Sequence, residues 1–204
     1  MESTLNMLQS GGILVYPLAA MLVASIIIII LKARALRECK VINTLVVDKI
    51  ERILLEGNIP EATAFCKQNS LPMADVILAG LLNHHKSEAE LKEVLEEVGR
   101  QQIPKIRRYL TLLGTIASVA PLMGLFGTVL GMIAVFASLG ENISVDANLL
   151  ANGISEALVT TAIGMVIAML SLTFYNHFTA KVNNFIIEME RISLHMVAVL
   201  KRLH

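Results

Sequence analysis

Residues 109–140 read YLTLLGTIASVAPLMGLFGTVLGMIAVFASLG, without a single Asp, Glu, Lys or Arg. Crossing about 30 Å of hydrocarbon takes about 20 apolar residues, so this run is long enough to span a bilayer and overshoot it. At about 1.5 Å per residue its helix measures roughly 46 Å. The excess is expected to project from the membrane, because a charged, capped helix beginning near Ser87 leads into it. Two further runs lack these charges, residues 3–31, apolar from Ile13 to Leu31, and residues 157–180. The composition agrees, with 55% hydrophobic and 17% charged residues against about a quarter charged in soluble domains.

Orientation follows from the cations. All 17 Lys and Arg fall within residues 32–108 or 181–202, and the positive-inside rule places both segments in the cytoplasm. The connection between the second and third spans carries only Glu141, Asp146 and Glu156 and is expected outside. The first run is not expected to be a secretory signal: its leader holds Glu2 and no cation, and its cluster Lys32, Arg34, Arg37 and Lys40 follows the apolar stretch. It is expected to be a retained anchor. The chain then divides into an outer N-terminus (1–12), a first span (13–31), a cytoplasmic helical region (32–108), a second span (109–139), an outer loop (140–156), a third span (157–180) and a cytoplasmic C-terminal helix (181–204). No alternating strand pattern occurs, so the expected fold is all-α, an integral membrane protein with three transmembrane helices and long cytoplasmic helical extensions.

Within 32–108, Ile42, Leu45, Val46, Ile50, Ile53 and Leu54 recur at helical spacing, predicting a helix over 41–56 that stops at Gly57. Asn58 with Glu61 marks a new start, Leu71-Pro72 a break, and 73–83 a short helix. Ser87 and Glu90 form a second capping box, from which the pattern of Leu91, Val94, Leu95 and Val98 continues towards the second span with a kink at Pro104. In the C-terminal tail, Ile186, Ile187, Ile192, Leu194 and Val197 are expected to pack on these helices.

Small residues form a stripe on each of the last two spans: Ala117, Ala120, Gly124, Thr128 and Gly131, then Ala157, Thr161, Gly164, Ala168 and Ser171. In lipid such stripes let helices approach closely. Thr128, Thr160 and Thr161 either bond their own i−4 carbonyls or line a wet path. Glu156, at the outer edge of the third span, is either a solvated acid at a helix start or an entrance acid, with Thr160 one turn further in on the same face. No Asp, Glu, Lys or Arg lies within 109–140 or 157–180, and His177 sits at the inner end. The chain therefore has no mid-bilayer proton acceptor of its own, and a conducting carboxylate must come from another chain.

Two patterns, A-P-x-x-G-L-x-G-T-V-x-G from Ala120 to Gly131 and G-I-x-E-A-L-x-x-T-A-x-G from Gly153 to Gly164, together with the three-span topology and the large first cytoplasmic loop, resemble the MotA/TolQ/ExbB proton channel family, specifically its ExbB/TolQ branch. The resemblance implies an ion-conducting stator subunit of the bacterial inner membrane, with its N-terminus periplasmic. It implies a homopentamer around a dimer of a single-span ExbD/TolR-like partner that supplies a membrane Asp. Flow of H⁺ or Na⁺ then drives rotation or another motion of that partner, with no cofactor. By motif position Thr128 and Thr161 match pore-lining hydroxyls, Glu156 the membrane-embedded acid and Pro121 the kinking proline. Gly124, Gly127, Gly131 and Gly164 serve helix packing, and Thr160 joins the expected ion pathway. The chain departs from the pattern at Leu130, where an aromatic is common, at Met169, where a proline is common, and at Thr160. The pair Thr160-Thr161 is more like sodium-driven relatives, which leaves the ion open.

Other functions have little support. A net charge of zero gives no basis for nucleic-acid binding. Cys39 and Cys66 form no C-x-x-C motif and are expected to be reduced thiols. His84-His85 lack ligand spacing, and no H-E-x-x-H, Walker A or G-x-S-x-G pattern occurs. Ser118 and His177 lack a third member for an intramembrane hydrolase, so no enzyme is expected. A non-conducting membrane scaffold shares the same helices and remains the alternative.

Overall fold

A computed structural model describes residues 14–36, 44–69, 71–141 and 147–202. Every regular element among them is an α-helix: α1 (Val15–Ala35), α2 (Thr44–Leu55), α3 (Ile59–Gln68), α4 (Pro72–Leu82), α5 (Glu88–Arg107), α6 (Leu110–Glu141) and α7 (Ala147–Arg202). The expectations for residues 1–12, Arg37, Cys39, Lys40, Ile42 and Asp146 lie outside the described residues. Three helices, α1, α6 and α7, are long and apolar enough to cross a membrane. The protein is thus an all-α membrane protein.

Packing divides the chain into two units, residues 1–30 with 109–177, and residues 31–108 with 178–204. Every Lys and Arg belongs to the second. The packing border thus falls where the charge pattern changes, as it must if one unit is solvated by lipid and the other by water. In the first unit α1 buries Leu18, Ser25 and Ile28, a stripe of helical period. The Ser25 hydroxyl donates to the Leu22 carbonyl at 2.8 Å, which spares it an unmet polar group.

The second unit is built from short capped helices. α2 buries Val47, Ile50, Ile53 and Leu54. It ends in a Schellman motif: Gly57, at φ 79°, donates to Leu54 O at 2.9 Å and Asn58 to Ile53 O at 3.2 Å. Asn58 then caps α3, accepting from the Glu61 N–H at 3.3 Å. Ser87 and Glu90 complete a reciprocal capping box on α5. That bonding holds the Glu90 carboxyl below its usual pKa.

α5 does not run on into the membrane helix. Pro104 lies within α5, and the break comes later. Arg108 leaves the helical region (φ −47°, ψ 137°) and Tyr109 adopts φ 67° before α6 begins. A left-handed tyrosine costs about 1–2 kcal/mol. The Lys32 ammonium offsets part of that cost by donating to the Ile106 carbonyl at 2.7 Å, one of the acceptors orphaned where α5 stops. Helix also extends into both ends of the stretch 140–156 that was expected to be a loop. α6 persists to Glu141 and α7 starts at Ala147, because 147–152 contains neither Pro nor Gly to delay the helix.

The C-terminal stretch of α7 buries Phe178, Val182, Phe185, Met189, Ile192 and Met196, spaced by alternating fours and threes. Two residues named from the sequence, Ile187 and Leu194, are exposed instead. They fall off the 4-3 stripe, and long apolar side chains among charges do not reveal which side they face. A side-chain hydrogen bond ties the tail to α2, with His195 Nε2 at 3.0 Å from Glu51 Oε1. Lys201 Nζ donates to the Lys86 carbonyl beside the α5 cap.

Cys66 is buried in α3, and burial pushes its thiol up from 9.0 to about 11. Protonation of this thiol therefore favours the folded state fully below pH 9.0, and that contribution is lost as the pH rises towards about 11. Iodoacetamide at neutral pH is expected to leave Cys66 unmodified in the folded protein and to modify it once denaturant opens this unit, as mass spectrometry of the α3 peptide will read. Rapid native labelling contradicts the burial. Ser87→Ala is expected to destabilise this unit by about 1 kcal/mol, measured as faster amide exchange at the start of α5.

Candidate functional site

The small-residue stripes of α6 and α7 meet as an antiparallel seam. Partners descend one helix as they ascend the other: Gly131 lies by Ala157, Gly127 by Thr160, Gly124 by Thr161, and Ala120 by Gly164. The approach is close enough to exclude any side chain. A methyl group on Gly164 would lie 2.6 Å from the Ala120 carbonyl oxygen, and one on Gly124 would lie 2.9 Å from the Thr161 Cα. Near the other end Tyr175 packs over Gly114, 3.0 Å from where a methyl would stand. That contact was not foreseen from the sequence, although an aromatic opposite a glycine is the signal that marks it.

Hydroxyls are threaded into this seam. Thr161 Oγ1 donates across it to the Gly124 carbonyl at 2.7 Å. Such interhelical bonds in lipid are worth about 0.6 to 2 kcal/mol. Thr160, only 2% exposed, donates to the Glu156 carbonyl at 2.9 Å, one turn back along α7. Its methyl faces Gly127. Pro121 lies inside α6; with no N–H it leaves the Ala117 carbonyl without its helical donor. Ser171, fully buried in the same stripe of α7, has no hydrogen-bond partner for its hydroxyl among the described residues.

The structure thus brings Thr160 together with Glu156, and Thr161 together with Gly124. Thr128 stands apart: it is half-buried, and its hydroxyl donates within α6 to Leu125 O at 2.7 Å. Glu156 is half-buried. Chemically the key group is Thr161. Its single proton is committed to Gly124, so its oxygen faces any incoming group only as an acceptor. It can receive a hydrogen bond from a protonated carboxyl or ligate a cation. Among the described residues no three His, Cys, Asp or Glu gather as a metal site.

Substituting Gly164→Ala is expected to force the helices apart and lower stability by about 1–3 kcal/mol. Gly99→Ala, in α5 with nothing within 4 Å of the new methyl, is expected to be neutral or to stabilise by up to about 1 kcal/mol. Thermal unfolding in detergent reads both, and equal effects would contradict the seam.

Comparison with known proteins gives a consistent result. Residues 68–191 match the MotA/TolQ/ExbB proton channel family. The chain is 36% identical over 173 residues to an ExbB-like biopolymer transport protein of Synechocystis, covering 83% of this chain and 82% of that protein. It is 29% identical over 193 residues to an ExbB homologue of Methanothermobacter thermautotrophicus, covering 94% and 67% respectively. Against the biopolymer transport protein ExbB of Salmonella typhimurium the identity is 30% over 126 residues, covering 55% of this chain and 52% of that protein.

Proposed function

This chain belongs to the MotA/TolQ/ExbB proton channel family, and on that footing we propose that it is the ion-conducting stator subunit of a complex that turns an ion gradient into motion of a partner. As a family member it is a multi-pass inner-membrane subunit of an energy-transducing system.

The observation that carries the reading is a gap. Two spans hold hydroxyls at their seam, yet residues 109–140 and 157–180 hold no Asp, Glu, Lys or Arg. Burying a carboxylate in lipid costs several kcal/mol unless polar groups surround it. A conducting acid therefore comes from a second chain, and an ExbD/TolR-like dimer with an Asp in its single span fits the vacancy. Five copies of this chain surround that dimer. Thr161 accepts from the partner's protonated carboxyl, or ligates Na⁺, through the lone pairs its bond to Gly124 leaves open. Thr160 holds the turn at Glu156, Glu156 is the entrance acid, and Thr128 lines the path beside the seam. The second unit lies in the cytoplasm, by the distribution of its cations.

One observation favours a second reading, a non-conducting scaffold: the Thr160 and Thr161 hydroxyls are both satisfied inside the chain. Flux separates the two. Co-reconstituted in liposomes with its single-span partner, the wild-type complex is expected to pass H⁺ or Na⁺ down a gradient. Thr161→Val and Glu156→Ala are each expected to cut that flux about tenfold, the effect of losing one interaction of about 1.4 kcal/mol, with assembly preserved. Thr161→Ser is expected to retain it. A wild-type complex that passes neither ion supports the scaffold, and flux through this chain without any partner contradicts the borrowed acid.

A further inference from the structure

Two serines of the first unit, Ser25 on α1 and Ser171 on α7, are both 0% exposed. They belong to different helices, and Gly127 of α6 relates them. A methyl group on Gly127 would meet the Thr160 side chain of α7 and, at 3.6 Å, Leu14 Cδ1 just ahead of α1. Ser25 lies eleven residues beyond Leu14, and Ser171 eleven beyond Thr160. Eleven residues close three turns to within about 20°, so each serine shares the face that meets Gly127, roughly 16 Å further along. Lys32, at the end of α1, meets Ile106, just ahead of α6, so α1 runs opposite to α6 as α7 does. Eleven residues back from Gly127 is Ile116, and both Ile116 and Ala117 are buried. The two serines therefore flank α6 at the level of Ile116 and Ala117.

Three polar groups at this level have complementary needs. Ser171 has a hydroxyl without a partner among the described residues. The Ser25 proton goes to the Leu22 carbonyl at 2.8 Å, which leaves its oxygen as an acceptor. The Ala117 carbonyl lacks its helical donor, because Pro121 has no N–H. Their directions agree as well. Side chains lean towards the N-terminus of their helix, and carbonyls point towards its C-terminus. On antiparallel helices, all three groups therefore lean to one side of the membrane. Lipid supplies no partner, and an unmet donor or acceptor there is costly. One molecule that accepts once and donates twice meets all three. A cation would serve only the two acceptors and leave the Ser171 proton unmet. Room comes from size: Ser25, Ala117, Ala168 and Ser171 are all small, and a buried water asks for about 30 Å³.

We propose that the core between α1, α6 and α7 binds one buried water molecule, which accepts from Ser171 Oγ and donates to Ser25 Oγ and to the Ala117 carbonyl. A buried water typically makes about three such bonds. The water stands in for the N–H that Pro121 lacks, and it ties α1 to the seam of α6 and α7. This site shares the membrane placement of the helices with the functional reading but not its conduction step, and it is read by water contact rather than by flux.

The experiment uses the full chain, labelled at serine and leucine, in bilayers of deuterated lipid, with magnetisation transfer from water measured by solid-state NMR. Wild-type protein is expected to show transfer to Ser25 and Ser171 and none to Leu18, which is equally buried on the same face of α1. Ser171→Ala is expected to abolish transfer to Ser25 with helical content unchanged, and to lower the melting temperature. Deleting a hydroxyl that has no partner would instead leave that temperature unchanged or raise it. Pro121→Ala, which returns an N–H to the Ala117 carbonyl, is expected to reduce transfer to both serines. Glu156→Ala, placed on the ion path, is expected to leave transfer intact. Absence of transfer to either serine in the wild type overturns the proposal, as does transfer to Ser25 that survives in Ser171→Ala. Loss of wild-type transfer on raising the NaCl concentration would show a cation in the site and overturn it too.

Discussion

In a bilayer, lipid tails are as apolar as leucine, so apolar side chains gain nothing by leaving lipid for the protein interior. What holds α6 to α7 must therefore be van der Waals contact and hydrogen bonding, and both require the backbones to come close. Gly124 and Gly164 permit that approach, and the Thr161 hydroxyl closes it with a bond to the Gly124 carbonyl. This contact sets the register of the seam. The register in turn places Thr160 against Gly127 and brings its hydroxyl back to Glu156. Every candidate group on the third span takes its position from this one approach.

The second unit obeys the opposite solvent. There water expels apolar surface, and the stripe from Phe178 to Met196 in α7 is buried by that effect. Short helices are marginal alone, and several ends are closed explicitly: the Schellman turn at Gly57, the Asn58 cap, the Ser87–Glu90 box and the Lys32 bond to Ile106. A single helix, α7, carries both patterns in series, small residues and hydroxyls first, then a 4-3 apolar stripe among charges. That change of pattern along one helix is where the packing border between the units falls.

Expectation and structure part company where solvent boundaries were taken for helix boundaries. The run 157–180 marks where charges cease, yet α7 already exists at Ala147, since a helix needs only helical backbone and not an apolar environment. The pattern after Ser87 seemed continuous with the second span, but the α5 helix stops at Arg107, where Lys32 takes up an acceptor of its last turn. Tyr109 gave no warning of its left-handed backbone, for tyrosine has no preference for that region. Equally, three threonines of one type take three different acceptors: Leu125 for Thr128, Glu156 for Thr160 and Gly124 for Thr161.

The order of residues determined by itself that three helices cross a membrane, that the chain is all-α, that it resembles the ExbB/TolQ branch, and that its spans contain no acid of their own. These are properties of composition and period, and they hold whatever the chain's neighbours are. The tertiary structure alone decided which hydroxyl donates to which carbonyl, that Tyr175 covers Gly114, that α5 breaks at Arg108–Tyr109, and that residues separated by over seventy positions meet, as Lys32 and Ile106 do. Such facts depend on distances between segments remote in the chain, and a pattern read along one dimension carries no measure of those distances.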